Sequence, residues 1–160
     1  MENQAIYPGT FDPITNGHLD IIERARLRFP KLIVAVSQNP SKSPLFSLED
    51  RVALVKEVVA RLDGVEVDSF DGLLVDHAKR RDVGVIVKGL RAITDFEYEL
   101  QMAQMNHELS GIETFFMVAT PAHSFLSSSL VKEVARFGED VSRFVPPEVA
   151  RRLKERFRGE

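Results

Sequence analysis

Five near-continuous apolar runs recur along the chain, each followed by a helical pattern. They are "AIYPG" (5–9), "KLIVAVS" (31–37), "VEVDSF" (65–70), "VGVIVKGL" (83–90) and "ETFFMVAT" (113–120). A strand that is apolar on both faces needs cover on both faces, and parallel neighbours need long crossovers that helices can supply. The helical patterns fall at 17–29, 47–62, 72–81, 94–109, 127–137 and 146–157. Ser47 with Asp50, and Thr94 with Glu97, read as capping boxes at two of the helix starts. The pattern predicts an α/β fold: a single doubly wound, Rossmann-like domain over residues 1–160, with a five-stranded parallel sheet and helices on both faces. In such a sheet ligands bind beyond the carboxyl ends of the strands, where the strand order reverses.

Composition narrows the function classes. The chain has no cysteine, which removes disulfides, cysteine–zinc sites and thiol nucleophiles. Lys and Arg total 21 against 24 Asp and Glu, a formal charge of -3, which argues against a broad nucleic-acid surface. The one basic cluster, "RRLKERFR" (151–158), reads as a solvated helix face near a helix C-terminus, where cations are favoured. No apolar run approaches the ~20 residues of a membrane span. The first residues lack the basic-then-apolar pattern of a secretion signal. The expectation is a soluble, cytoplasmic protein with no membrane and no nucleic-acid partner.

The polar residues with chemistry lie just after the strands. Between the first strand and first helix stand Pro8, Gly9, Thr10, Asp12, Pro13, Thr15, Asn16, Gly17 and His18. A helix N-terminus offers unpaired N–H groups and partial positive charge. Gly9 and Gly17 allow close backbone approach, Thr10 and Thr15 supply hydroxyls, and His18 sits on the first turn. The helix dipole alone disfavours a charged imidazole there, whereas a bound phosphate favours it. A chance histidine in a turn-rich loop is the plainer reading, but hydroxyls, glycines and an imidazole at one junction point to a phosphate cradle. There is no G-x-x-x-x-G-K-[ST] and no G-x-G-x-x-G, which weakens the kinase, NTPase and NAD-dehydrogenase readings.

Three further groups follow later strands. Lys42 lies in the Ser/Pro loop "NPSKSPLF", and taken alone reads as a surface lysine. Lys88, Gly89 and Arg91 end the fourth strand, and two cations at that edge call for a counter-ion; Glu99 could orient Arg91 or meet a ligand. Ser127, Ser128 and Ser129 precede a helix, where one serine suffices as a cap. Two helix N-termini facing one crevice suit a polyphosphate. His77, His107 and His123 show no metal-ligand spacing, no H-E-x-x-H occurs, and no Ser–His–Asp order stands out. Met102 and Met105 read as core, subunit contact or pocket wall.

These stretches carry a resemblance. "GTFDPITNGH" resembles the T-x-G-H signature of the α/β nucleotidyltransferase superfamily, with Thr15, Gly17 and His18 in place. "KGLRAITDFEYE" and "SFLSSSLVKEVARF" resemble the bacterial phosphopantetheine adenylyltransferases, and the likeness runs to the "FVPPEV" before the last helix. The resemblance implies the penultimate step of coenzyme A synthesis, in which ATP and 4′-phosphopantetheine give dephospho-coenzyme A and pyrophosphate by direct in-line attack. Carried over by position, it makes His18, Thr10, Lys42 and Arg91 catalytic. Thr10 and Lys42 would hold the attacking phosphate, with Lys88 assisting, and Leu74, Met102 and Asn106 would line the pantetheine arm. ATP would be met by Thr10, Phe11, Gly17, His18, Gly89, Leu90, Arg91 and Glu99, and by His123, Ser124, Phe125, Leu126, Ser127, Ser128 and Ser129. It further implies Mg²⁺ carried on the ATP phosphates with no metal site of the protein's own, a homohexamer, and coenzyme A as feedback inhibitor. The chain departs from the family in having Lys88 where arginine is frequent, which keeps the charge but not the bidentate geometry, and in lacking a tryptophan near "AHSF".

The residue chemistry agrees with nucleotidyl transfer, which needs positioning and positive charge more than a nucleophile. Two rivals stand beside it. One is a related enzyme with another acceptor, such as nicotinamide mononucleotide or glycerol phosphate. The other is a non-catalytic nucleotide sensor, against which the set of His18, Lys42 and Arg91 speaks. A tRNA synthetase-like protein is discounted, since 160 residues leave no room for a tRNA-binding domain.

Overall fold

A computed structural model describes residues 4–38 and 43–158. Five parallel strands form one sheet: β1 (Gln4–Gly9), β2 (Lys31–Ser37), β3 (Val65–Phe70), β4 (Val85–Leu90) and β5 (Glu113–Val118). Their order across the sheet is β3-β2-β1-β4-β5. Six helices complete the fold: α1 (Asn16–Arg26), α2 (Leu48–Val59), α3 (Leu74–Arg80), α4 (Ile93–Ser110), α5 (Ser128–Arg136) and α6 (Pro147–Arg158). The strands and helices thus fall where the apolar runs and helical patterns place them, with β2 and β3 unshifted and the other ends displaced by at most three residues.

The alternation of side chains along the strands builds two cores. Ala5 and Tyr7 of β1, with Leu32, Val34 and Val36 of β2, pack with α1, α2, α5 and α6. Ile6, Ile33 and Ala35 point the other way and pack with Val75 and Ala78 of α3. Burial on both faces is what the apolar strands require.

The crossover from the β3 side to the β4 side makes β1 the switch point. The β1–β2 ladder pairs every residue from Gln4↔Lys31 to Gly9↔Val36. The β1–β4 ladder registers only at Ile6↔Ile86. The two strands therefore part toward their carboxyl ends, and a crevice opens there.

Local starts and stops refine two expectations. Ser47 does cap α2, accepting the Asp50 N–H at 3.1 Å. The return half of that box is missing, because Asp50 takes the Ser47 hydroxyl and the Arg152 guanidinium instead. Helix α4 begins at Ile93 with Ala92 as its N-cap and no side-chain cap bond, so Thr94 lies inside the first turn and the Thr94–Glu97 box does not open the helix. A turn of 3₁₀ helix at Pro121–His123, unmarked in the sequence reading, bridges β5 and α5.

Candidate active site

The crevice is a cleft of about 510 Å³ at the carboxyl ends of β1 and β4, closed on one side by the start of α5. Of the anticipated residues, Thr10, Phe11, Gly17, His18, Lys88, Gly89, Arg91, Glu99, His123, Leu126 and Ser127 to Ser129 all line it. Leu90, Ser124 and Phe125 do not: Leu90 gives its carbonyl to the Ala119 N–H, the Ser124 hydroxyl bonds Pro121 O, and Phe125 packs edge-on against Phe144. Leu74, Met102 and Asn106 lie outside this cleft on α3 and α4, two helices in contact with each other. Lys42 falls outside the described residues.

The β1–α1 loop is shaped from within. Phe11 holds a φ of 48°, a left-handed conformation costly for a bulky residue, and its ring is buried. That ring stacks edge-on against Tyr7 and His18. A Cβ on Gly9 would lie 2.9 Å from two Phe11 ring atoms. Gly9 therefore has to be small to admit the Phe11 ring, a reason for glycine that the sequence does not show, and it also lines the cleft.

His18 is the third residue of α1 and closes an unusual capping box with Thr15. The Thr15 hydroxyl accepts the His18 N–H at 3.4 Å, and the Thr15 N–H donates to His18 Nδ1 at 3.0 Å. Glu or Gln ordinarily makes the second bond. An Nδ1 that accepts carries no proton, so the neutral ring holds its proton on Nε2. Burial, with Arg91 and Lys88 adding repulsion, pulls the imidazole pKa down to about 4. His18 thus presents the cleft with a neutral N–H donor.

The N–H groups of α1 are less free than a bare helix end. Asn16 donates to Phe144 O at 2.9 Å, and His18 is spent on the cap. That leaves the Gly17 N–H as the one in the first turn without a partner among the described residues. The α5 end is richer. Ser127 is its N-cap and accepts the Leu130 N–H at 3.1 Å, and with Leu130 at the third position no capping box closes. Ser128 donates its hydroxyl to Pro13 O at 2.8 Å, which ties α5 to the β1–α1 loop. Ser129 is exposed on the cleft wall. The two helix starts meet closely: a Cβ on Gly17 would lie 3.7 Å from His123 Cβ and 3.8 Å from Leu126 Cδ2.

The cations of β4 carry counter-ions, though not as expected. Glu99 pairs with Lys88 at 3.3 Å. Arg91 instead bonds Asp95 at 3.2 Å and donates to Leu126 O at 2.7 Å. Burial raises the Tyr7 phenol well above its ordinary range, against the pull of Arg91, so it stays protonated in the floor of the cleft. With Asp95 and Glu99 paired to cations and Asp12 bound to Lys132, the donor set suits phosphate and leaves no carboxylate cluster for a metal among the described residues.

Three residues that brace the loops around the cleft have no role assigned from the sequence: Arg51, Asp12 and Lys132. Arg51 of α2 is buried and donates to four carbonyls: Phe46, Thr10, Ser37 and Gln38. It fastens the loops after β1 and β2 together. Asp12 and Lys132 form a 2.7 Å ion pair on the cleft wall. Their signal lies in contacts between segments far apart in sequence.

The basic stretch at the end of the chain behaves as a helix face: Arg151 pairs with Glu57 and Arg152 with Asp50. No helix among the described residues is long and apolar enough to cross a membrane.

Residues 6–134 match a family model described as cytidylyltransferase-like. The chain is 57% identical over 156 residues to a phosphopantetheine adenylyltransferase of Streptomyces coelicolor, covering 98% of each chain. It is 56% identical over 155 residues to a phosphopantetheine adenylyltransferase of Caldanaerobacter subterraneus subsp. tengcongensis, covering 96% of this chain and 97% of that one. Among solved structures, it resembles a bifunctional NMN adenylyltransferase/ADP ribose pyrophosphatase from Francisella tularensis with a TM-score of 0.74 at 13% identity, over 97% of this chain and 49% of that one. A lipopolysaccharide core biosynthesis protein from Thermoplasma volcanium aligns with a TM-score of 0.54 at 19% identity, over 73% and 95% of the two chains. At those identities the two structures speak for the fold.

Proposed function

The chain belongs to the cytidylyltransferase-like family and, within it, to the phosphopantetheine adenylyltransferases, and from that premise we propose how its cleft works. The protein transfers the adenylyl group of ATP to 4′-phosphopantetheine, reversibly, giving dephospho-coenzyme A and pyrophosphate. A phosphate oxygen of 4′-phosphopantetheine attacks the α-phosphorus in line. The bond from that phosphorus to the oxygen bridging toward the β-phosphate breaks, and pyrophosphate leaves with its electron pair. The attacking oxygen is already ionised at neutral pH, so no general base is needed.

The reading is carried by one observation: a neutral His18, its Nδ1 tied back to Thr15, stands between two helix starts and near two cations. In our assignment its Nε2–H donates to the α-phosphate and the bond strengthens as charge gathers in the transition state. Thr10, with Lys42, holds the attacking phosphate, and Lys88 assists. Arg91, with the backbone at Gly89, holds ATP, Glu99 keeps Lys88 in place, and His123, Leu126 and Ser127 to Ser129 form the wall for the β- and γ-phosphates. The pantetheine arm runs over Leu74, Met102 and Asn106, where α3 meets α4. Mg²⁺ enters as part of the nucleotide substrate, held by its phosphate oxygens.

Two further assignments rest on the same family reading. The first is a homohexamer. No described side chain of α4 is buried, and Phe96, Tyr98, Met105 and Leu109 stand exposed on it. The edge strand β5 adds exposed Phe115 and Val118. An apolar helix covered on one side only supports self-association along this face. The second is feedback by coenzyme A, which contains the whole product plus one phosphate and would compete for the same cleft.

The test is pyrophosphate release from Mg-ATP, with 4′-phosphopantetheine, nicotinamide mononucleotide or glycerol phosphate supplied in parallel and His18→Ala as control. Release with 4′-phosphopantetheine alone, lost in the variant, is expected. Release with another acceptor would overturn the substrate, and ATP binding without release would favour a nucleotide sensor.

A further inference from the structure

Asp12 is 3% exposed, yet its carboxylate has three donors from two distant parts of the chain. Oδ2 accepts the Leu45 N–H at 2.8 Å and Oδ1 the Phe46 N–H at 2.9 Å. Oδ2 also takes the Lys132 ammonium of α5 at 2.7 Å. Burying a carboxylate is costly unless it is paired and fully hydrogen-bonded, and an apolar side chain would hold a loop more cheaply. The expense needs a reason beyond stability.

The position supplies one. Asp12 sits two residues after Thr10, in the loop that runs on to His18. Leu45 and Phe46 end the loop after β2 and lead into Ser47, the N-cap of α2. Lys132 lies one turn after Ser128 and Ser129 on α5. One carboxylate therefore joins the β1–α1 loop and α5, which both line the cleft, to the segment that leads into α2.

We propose that Asp12, through Lys132 and the Leu45–Phe46 amides, is a positioning residue that sets the spacing between the acceptor-phosphate side of the cleft and the leaving-pyrophosphate side. The proposal rests on the adenylyl-transfer reading above. In-line displacement needs the attacking oxygen, the α-phosphorus and the departing oxygen in one line, and each end is held by a different segment. Fixing α5 to the β1–α1 loop fixes that line. The carboxylate touches neither substrate in this scheme; it acts through the groups that do.

The test uses the intact enzyme with Asp12→Asn, Lys132→Gln and the double variant. Each is assayed for kcat with saturating Mg-ATP and 4′-phosphopantetheine, for ATP dissociation constant by calorimetry, and for thermal midpoint. Loss of alignment by an ångström can cost about 100-fold in rate, and that order of fall in kcat is expected for Asp12→Asn with ATP affinity unchanged to within about threefold. Lys132→Gln should lower kcat in the same way while leaving the two amide bonds to Asp12 intact. The double variant should be no slower than Asp12→Asn alone, because the pair acts as one unit. A folded Asp12→Asn with wild-type kcat would overturn the proposal. So would a Lys132→Gln whose ATP affinity falls in proportion to its kcat, since Lys132 would then act by touching phosphate. Should Asp12→Asn fail to fold, Lys132→Gln decides the matter alone. Turnover of the unaltered protein with 4′-phosphopantetheine tests the underlying reaction separately, so the two failures cannot be confused.

Discussion

The Nδ1 atom of His18 accepts the backbone N–H of Thr15 at 3.0 Å, and this bond decides what the histidine can offer a phosphate. It leaves the neutral ring's proton on Nε2. The ¹⁵N signals of His18 in the ligand-free protein should therefore show Nδ1 unprotonated and Nε2 protonated across neutral pH, with a midpoint at about 4 against an ordinary 6.5. Because the folded-state value is depressed, the folded protein binds fewer protons than the unfolded chain between those two values. The stability contributed by His18 is present above 6.5 and lost as pH falls from there toward about 4. A midpoint near 6.5 would remove the neutral donor from the scheme.

Removing the imidazole separates binding from catalysis. His18→Ala should lower kcat by about 10²- to 10³-fold, the usual cost of losing one aimed donor to a charged transition state. ATP affinity should change little, since the bond gains strength only as charge builds. The variant also loses half of the α1 capping box, worth roughly 1 kcal/mol, which a denaturation curve will register without loss of the fold. Equal kcat with weaker ATP binding would move His18 from the transition state to the ground state.

The strands, the crossovers and the residues flanking the cleft were legible in the sequence because they depend on local pattern. Apolar runs mark buried parallel strands, and polar residues directly after them mark the carboxyl edge. What was not legible is how charges choose partners. Glu99 was read toward Arg91, yet it pairs with Lys88 while Asp95, one helical turn from Arg91, takes the guanidinium. Spacing along a helix does not settle which of two neighbouring carboxylates a long side chain reaches. The Thr15–His18 cap escaped for a different reason: the box is recognised by Glu or Gln at its third position, and an imidazole does the same work here. Arg51 looked like any helix arginine, because its four carbonyl partners are brought together only by the sheet.

Arg91 should act on ATP itself. Its Nη1 already donates to Leu126 O, so the guanidinium braces the loop before α5 as well as facing the cleft. Charge-assisted hydrogen bonds are worth about 1.5–3 kcal/mol, so Arg91→Ala should weaken ATP binding by about 10- to 100-fold in calorimetry. Arg91→Lys should recover part of that loss, since the charge returns but the fork does not. Unchanged ATP affinity in the alanine variant would sink the role.

Arg51 predicts a stability effect with a site consequence. Arg51→Met keeps the aliphatic bulk but strands the carbonyls of Thr10, Ser37, Gln38 and Phe46. Unsatisfied buried acceptors cost on the order of 1–3 kcal/mol each, tempered here by relaxation and water, so a total loss of about 3–5 kcal/mol is expected from urea unfolding. A loss under about 1 kcal/mol would mean that the loops after β1 and β2 hold their places without it.

The exposed face of α4 predicts assembly. Met105 is 57% exposed on a helix none of whose described side chains is buried. In a monomer, Met105→Glu is a surface change worth less than about 0.5 kcal/mol and would leave mass and activity alone. In a homohexamer built on this face it places an unpaired charge in an apolar contact, which costs several kcal/mol per copy. Sedimentation equilibrium should then find six chains for the unaltered protein and a smaller species for Met105→Glu. A single-chain mass for the unaltered protein would remove the hexamer and leave the apolar face of α4 in need of another partner.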